Sequence, residues 1–152
     1  LPYNISSPFF FFLLENLAYV SEGVFMILKE VADWLCAPSG NKTYGILSIL
    51  LGAYFDREYA FTVPPSVFYP PPKVQSGVIR LVKKKDLPNV PFADLKKVVK
   101  TAFNQRRKTL RNALKSLEFA PMEEWEEWSS LRAENLDIPA FLKLAENLQE
   151  KD

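Results

Sequence analysis

The sequence contains no histidine and a single cysteine, Cys36, among its 152 residues. A lone cysteine cannot form an internal disulfide, and it is typical of proteins kept in a reducing compartment. Zinc sites draw mainly on cysteine and histidine, and hydrolytic triads use histidine as the base. We therefore expect no metal site in this chain and no histidine-based catalysis.

Long apolar runs are lacking as well. Residues 9–14 are all apolar, but Glu15 and Asn16 end the run, far below the ~20 residues that a membrane span needs. No basic residue precedes it, as one would in a signal peptide. Together with the lone cysteine, this predicts a cytoplasmic protein without a membrane partner.

The net charge is only +1, which by itself indicates no polyanionic partner. Its distribution is uneven, however. Residues 83–117 contain eleven Lys or Arg and two Asp, a net charge of +9. Residues 118–152 contain three Lys or Arg and ten acidic residues, a net charge of −7. The basic segment is either a solvated face that the acidic segment neutralises or a footprint for phosphate contacts, and the charges alone do not decide between them.

The first 82 residues have the periodicity of an α/β sheet. The predicted strands are 23–28, 58–63 and 74–82, and the predicted helices are 8–18, 29–36 and 44–55. Ser7 is the expected N-cap of the first helix, with Pro8 in its first turn. The continuous apolar run at 23–28 predicts a central strand, parallel to one expected before Leu1. The short loop after 58–63 has no room for a crossover helix, so 74–82 should be antiparallel to its neighbours.

A charged linker from Lys83 predicts a domain boundary, followed by an all-helical domain. Amphipathic spacing predicts a helix over 92–103, a break near 104–105, a second helix, and further helices near 123–129 and 139–148. Three basic residues four apart predict one basic face on the second helix, with two more beside it: Arg107, Arg111 and Lys115, then Arg106 and Lys108. Trp125 and Trp128 are expected in the core.

Two loops carry an aromatic ring on a stiff backbone. Pro2 precedes Tyr3, although spacing alone favours an ordinary packed aromatic for that tyrosine. Residues 64–72 contain five prolines around Phe68, and Lys73 follows. So many prolines leave the loop few conformations, so it is preorganised. Its position between two strands argues against a ligand for a proline-binding domain.

These segments resemble the small-subunit ribosomal RNA adenine dimethyltransferases. Leu1-Pro2-Tyr3 looks like the end of that family's Asn-Leu-Pro-Tyr motif. The matching segments, in order, are LPYNISSP, VPPSVFYPPPKVQSGVIRL, FNQRRKTLRNAL and RAENLDIPAFLKLAENL. The resemblance implies the C-terminal portion of a nucleotide-binding methyltransferase sheet (residues 1–82) followed by a small all-helical RNA-binding domain (residues 83–152).

The resemblance also implies a chemistry. S-adenosylmethionine donates methyl groups to adenine amines of small-subunit rRNA, in a ribosome-biogenesis factor whose partner is the pre-ribosomal small subunit. The motif's backbone holds the amine, and Tyr3 and Phe68 stack on opposite faces of the base. The implied catalytic residues are Leu1, Pro2, Tyr3 and Phe68. The implied RNA-binding residues are Asn4, Lys73, Arg106, Arg107, Lys108, Arg111 and Lys115.

The match begins at Leu1, so the motif's asparagine is not part of it. A glycine-rich strand-to-helix turn for the cofactor is also missing from this sequence. We therefore expect no cofactor-binding residue in this chain, no activity from it alone, and self-association through an open sheet edge. Two alternatives remain: a large-subunit rRNA adenine methyltransferase of the macrolide-resistance type, which the RRKTLRN and RAENL segments disfavour, and a non-catalytic nucleic-acid-binding relative such as the mitochondrial transcription-factor branch.

Overall fold

The computed structural model describes residues 6–150. The strands are β1 Glu22–Leu28, β2 Phe55–Val63, β3 Ser76–Lys83, β4 Glu118–Phe119 and β5 Leu148–Gln149. The helices are α1 Ser6–Glu15, α2 Lys29–Leu35, α3 Ile46–Tyr54, α4 Phe92–Asn104, α5 Leu110–Ala113, α6 Trp125–Trp128 and α7 Ile138–Glu146. Short 3₁₀ turns lie at Leu17–Tyr19, Pro65–Val67 and Ala133–Asn135.

Strands β1, β2 and β3 form an antiparallel sheet in the order β1-β3-β2. Strand β3 pairs antiparallel with both neighbours, which confirms the pairings predicted for the strand at 74–82. One face of β3 packs against the core, where Ile79 and Leu81 are almost fully buried. In the described sheet, β1 is bonded to β3 alone, so the central parallel position predicted for 23–28 is not seen there. The strand expected before Leu1 lies outside the described residues.

Several element boundaries differ from the predictions for local reasons. Helix α1 begins at Ser6, so the prediction that Ser7 is its N-cap is wrong. Helix α3 begins two residues later than predicted. Its first turn is closed by Ser48 Oγ, which accepts from the Gly45 amide and donates to the Gly45 carbonyl, both at 2.7 Å. Phe55 leaves the helix and starts β2, where it pairs with Lys83.

Helix α1 packs on the sheet through aromatic side chains, as its apolar sequence predicted. Phe10 is fully buried and meets Phe25 of β1 edge-on, with ring centroids 5.6 Å apart. Phe9 makes a similar contact with Phe25. Phe12, on another side of the helix, is exposed. No helix within residues 6–150 is both long and apolar enough to cross a membrane.

The chain beyond Lys83 is mainly helical, as predicted. Helix α4 buries the predicted apolar face: Leu95, Val98, Val99 and Ala102. The sequence analysis did not predict the small antiparallel pair formed by β4 and β5. Trp125 and Trp128 are half-buried against the core, as expected. One buried core continues from α1 and α3 into α4 and α7, so the division into 1–82 and 83–152 stays a prediction.

A half-buried arginine, Arg57, links α2 to α3. Arg57 Nη1 donates to the Leu35 and Ser48 carbonyls, both at 2.8 Å. Burial lowers the pKa of this guanidinium, and the carbonyl dipoles compensate part of its lost hydration. Gly52 leaves room for the arrangement, since a Cβ there would collide with Ile138 and lie 2.8 Å from Arg57 Cζ.

Replacing Gly52 by alanine is expected to destabilise the fold by about 1–3 kcal/mol, because the added methyl overpacks the Arg57 site. Urea unfolding measures the change in the free energy of unfolding. Gly45→Ala is the matched control, since a Cβ at Gly45 meets only Arg106 Nη1, at 4.0 Å. Equal stability of the two variants would contradict the packing described for Gly52.

The loop at 40–45 is tied to the distant segment 134–136. Tyr44 is 1% exposed, and its hydroxyl donates to the Leu136 carbonyl at 2.8 Å. The Gly40 amide donates to the Glu134 carbonyl at 2.7 Å. Burial raises the pKa of the Tyr44 phenol well above its usual value, so the hydroxyl stays protonated and remains a donor.

Tyr44→Phe should therefore lower the free energy of unfolding by about 1–3 kcal/mol, because the Leu136 carbonyl loses its buried donor. Tyr59→Phe serves as the control, since the hydrogen bond between the Tyr59 hydroxyl and Thr62 Oγ1 lies at an exposed position. Thermal unfolding of both variants gives the comparison. A Tyr44→Phe protein as stable as Tyr59→Phe would show that this tie contributes nothing.

Candidate functional site

The end of β1, the end of β2 and the start of β3 lie together at one edge of the sheet. Leu28 and Val63 both pair with Ser76, and the Lys29 amide donates to the Gln75 carbonyl at 3.1 Å. The loop at 64–75 therefore lies at this edge, which we call the loop edge. This loop carries Phe68, Tyr69 and Lys73.

Helices α1 and α3 both start towards the loop edge. Each leads into a strand that begins at the opposite edge, where Glu22 pairs with Val82 and Phe55 pairs with Lys83. Lys83 Nζ also donates to the Leu17 carbonyl, just after α1, at 3.1 Å. Phe10, midway along α1, contacts Phe25 at the middle of β1, so α1 runs across the sheet towards that opposite edge. The first turn of α1 is therefore directed towards the side of loop 64–75.

The predicted catalytic residues divide into two groups. Phe68 lies on the loop just after the Pro65–Val67 turn, with an extended backbone (φ −103°, ψ 154°) and a half-buried side chain. Tyr69 beside it is fully exposed, and Lys73 is exposed further along the loop. Leu1, Pro2, Tyr3 and Asn4 lie outside the described residues, so the predicted approach of Tyr3 to Phe68 stays a prediction.

Residues 106–115 do not form the single basic helix face that their spacing predicted. Within this stretch only Leu110–Ala113 is helical, and Arg107 and Lys115 lie in the turns before and after it. The physical reason is a pairing with a distant part of the chain. Thr109 bridges to Arg132 in an antiparallel manner, and the Leu110 amide donates to the Leu131 carbonyl at 2.7 Å. These bonds stop the helix from extending backwards.

Two of the predicted RNA-binding arginines have partners inside the protein. Arg106 Nη2 donates to the Lys42 carbonyl at 2.8 Å and to the Tyr44 carbonyl at 2.7 Å, and it lies 3.8 Å from the Glu134 carboxylate. Arg111 Nη2 donates to Ser129 Oγ at 3.0 Å. Arg106 thus anchors the loop at 40–45. The side chain of Arg111 is also exposed, held by a hydroxyl that is itself buried.

The other cations predicted on this helix, Arg107, Lys108 and Lys115, are exposed. Among residues 6–150, the ion pair between Arg106 and Glu134 is the one that joins the basic segment to the acidic segment. Apart from this pair, no ion pair within the described part of the chain neutralises the basic segment with the acidic one. The exposed cations are available to phosphates.

The sequence analysis missed a cavity of about 650 Å³ between α1, α2, the start of α3 and α4. Trp34, Lys42 and Lys100 line it together with Arg106. These residues belong to separate elements, so no local spacing brings them together in the sequence. Within residues 6–150, no group of three or more His, Cys, Asp or Glu side chains is arranged to hold a metal ion.

Comparison with known proteins gives consistent similarities. The family model described as ribosomal RNA adenine dimethylase matches residues 1–149. The chain is 48% identical, over 97% of its length, to ribosomal RNA small subunit methyltransferase A of Cytophaga hutchinsonii. It is 50% identical, over 98% of its length, to the protein of the same name from Porphyromonas gingivalis. It covers 53% and 58% of these two proteins.

Two solved structures are also similar. A dimethyladenosine transferase from Plasmodium falciparum has a TM-score of 0.83 and 26% identity, with 97% of this chain and 66% of that one covered. The 23S rRNA methyltransferase ErmE has a TM-score of 0.64 and 20% identity, with 96% and 62% covered, and shows the shared fold alone. The α/β sheet with its helices is thus a methyltransferase fold, and the chain belongs to the ribosomal RNA adenine dimethylase family.

Proposed function

We propose that this chain forms part of a cytoplasmic, S-adenosylmethionine-dependent enzyme that dimethylates adenines of small-subunit rRNA during ribosome biogenesis. One observation carries the proposal: the loop with Phe68 and Lys73 lies at the sheet edge towards which α1 starts. Leu1-Pro2-Tyr3 comes just before α1 in the sequence. Relatives at 48% and 50% identity, both named small subunit methyltransferases, support the choice of RNA.

Methylation of an adenine amine depends mainly on how the base is positioned. S-adenosylmethionine, when bound, would supply an electrophilic methyl group, so the residues of this chain would need only to hold the adenine amine in line, without a strong base. Phe68 offers a ring on a proline-stiffened loop, which loses little conformational freedom when a base stacks on it. Tyr3 provides the opposite face of the stack. The backbone of Leu1 holds the amine, and Pro2 fixes the turn that carries both groups.

The methyl donor supplies the electrophile when it is bound. Among residues 6–150, no strand leads into a glycine-rich turn and helix of the kind that holds such a nucleotide. We accordingly assign no cofactor-binding residue in this chain. The chain spans little more than half the length of the relatives it matches, and activity of the whole protein is part of the proposal. Self-association through β1, where Val24 is exposed, stays a prediction.

The RNA is held by phosphate contacts from the basic segment. Arg107, Lys108 and Lys115 are exposed, and Arg111 is oriented by Ser129. Asn4 and Lys73 contact RNA beside the target base. Arg106 stays a predicted RNA contact, and its Nη2 also donates to the Lys42 and Tyr44 carbonyls. Arg106 thereby supports the loop at 40–45 as well.

Charge reversal at Arg107 should weaken RNA binding about tenfold, because a charge-assisted phosphate contact becomes a repulsion. Fluorescence anisotropy with a small-subunit rRNA hairpin, measured over a salt series, reports both affinity and the number of phosphate contacts. Lys85→Glu is the control, since Lys85 is exposed and follows β3 at the edge opposite the loop edge. Equal losses in both variants would mean that only net charge matters.

Phe68→Ala in the protein at its natural length should lower methyl transfer to small ribosomal subunits by about tenfold, the value of one lost stack. Phe68→Tyr keeps a flat ring and should retain most of the activity. Incorporation of labelled methyl groups measures both, and Val67→Ala is the control on the same loop, where Val67 is exposed. Transfer by the unchanged protein to large-subunit RNA instead would favour the macrolide-resistance type of enzyme.

A further inference from the structure

The cavity between α1, α2, α3 and α4 combines positive charge with aromatic surface. Its cationic lining residues are Lys42, Lys100 and Arg106, and its aromatic ones are Phe11, Trp34 and Phe103. Among the described residues that line it, none is a carboxylate. At about 650 Å³, the cavity is within the size range of sites for small organic groups. This lining suits a group that is both flat and anionic.

The rim of the cavity is held in place before any ligand arrives. Arg106 fixes the backbone on both sides of Thr43 through the Lys42 and Tyr44 carbonyls. The Thr43 amide and hydroxyl both donate to Asn41 Oδ1, at 2.9 and 2.8 Å. The Lys42 side chain itself is exposed. A cation mounted on a fixed backbone loses less freedom on binding than one on a mobile loop.

On the opposite wall, Lys100 Nζ lies 5.5 Å from the centroid of the Phe11 ring. Such a cation–π contact orients the ammonium while leaving its N–H donors available. Trp34 is 47% exposed, so about half of a large aromatic side chain remains open beside these cations. Aromatic rings next to positive charges are the usual platform for single-stranded nucleic acid, where bases stack and phosphates pair.

We propose that this cavity binds one unpaired nucleotide of the RNA strand whose adenine is methylated. The base stacks on Trp34, and the backbone phosphate lies between Lys42 and Lys100. The proposal rests on the proposed function, and it adds a second contact point on the substrate. Helices α1 and α3 both begin towards the loop edge and contribute to the cavity, so the cavity lies on the side of the molecule that carries Phe68. Arg107 and Lys108 directly follow Arg106 at the cavity rim and extend the basic surface.

The test uses the full chain and a single-stranded RNA of about a dozen nucleotides, with affinity measured by anisotropy over a salt series. Each phosphate contact to a single strand contributes about 0.7 to the slope of log affinity against log salt. Both lysines contact the same phosphate, so replacing Lys42 and Lys100 together by alanine should reduce the slope by about 0.7. The control pair, Lys85→Ala with Lys97→Ala, removes the same charge from exposed lysines outside the cavity lining and should leave the slope unchanged.

The stacking contact is tested separately. Trp34→Ala should lower affinity about five- to a hundredfold at every salt concentration, without changing the slope. Trp34→Phe keeps a ring at this half-exposed position and should retain most of the affinity, which separates stacking from a general effect on folding. Tyr19→Ala is the matched control, because Tyr19 is 89% exposed in the turn at the opposite edge. RNA should also quench part of the tryptophan emission, and Trp34→Phe should lose that part.

The outcomes separate the two proposals. If the Trp34 and lysine variants bind as the unchanged chain does while Arg107→Glu weakens binding, the cavity has no role and the proposed function stands. If the unchanged chain does not bind RNA at all, both proposals are overturned. An unchanged salt slope in the double lysine variant overturns the phosphate contacts, and a loss with Trp34→Phe as large as with Trp34→Ala overturns the stacking contact.

Discussion

The guanidinium of Arg106 is the interaction on which the arrangement of this molecule most depends. It donates to two carbonyls of the loop at 40–45, and the same loop is bound to segment 134–136 by Gly40 and Tyr44. These bonds satisfy backbone groups that would otherwise be unpaired in a partly buried loop. They also fix the point where α3 begins, and α3 carries the core between the sheet and α4. The tie adds polar contacts to the buried core that α3 shares with α4 and α7.

Local patterns were sufficient for much of the fold. The run at 23–28 and the alternation at 74–82 predicted strands within two residues of their ends, and the amphipathic spacing at 92–103 predicted the helix that α4 forms. The prediction of one continuous basic helix face at Arg107, Arg111 and Lys115 was wrong, because it relied on local spacing alone. The four-residue spacing is a local helical signal, whereas Thr109 pairs with Arg132, a partner that no window of sequence includes. Arg106 was assigned to RNA because sequence shows its charge and not its carbonyl partners.

The site could be predicted only in part for the same physical reason. Phe68 and Lys73 belong to one proline-rich stretch, so their shared loop was visible in the sequence. Trp34, Lys42 and Lys100 come from α2, a loop and α4, and only the packing of those elements brings them to one cavity. The loop at 64–75 presents the ring of Phe68 at the loop edge. The cavity rim at 40–45 presents the positive charge of Lys42.

The tie between Tyr44 and Leu136 joins residues 92 positions apart. Contacts of such wide sequence separation form late, because a long chain must close before they contribute. During synthesis, the loop at 40–45 leaves the ribosome well before its anchors in segment 134–136 exist. The strands β1, β2 and β3 lie within a shorter stretch and are expected to pair first. The rim of the cavity thus becomes ordered only after segment 134–136 has been made, long after the loop at 40–45 itself.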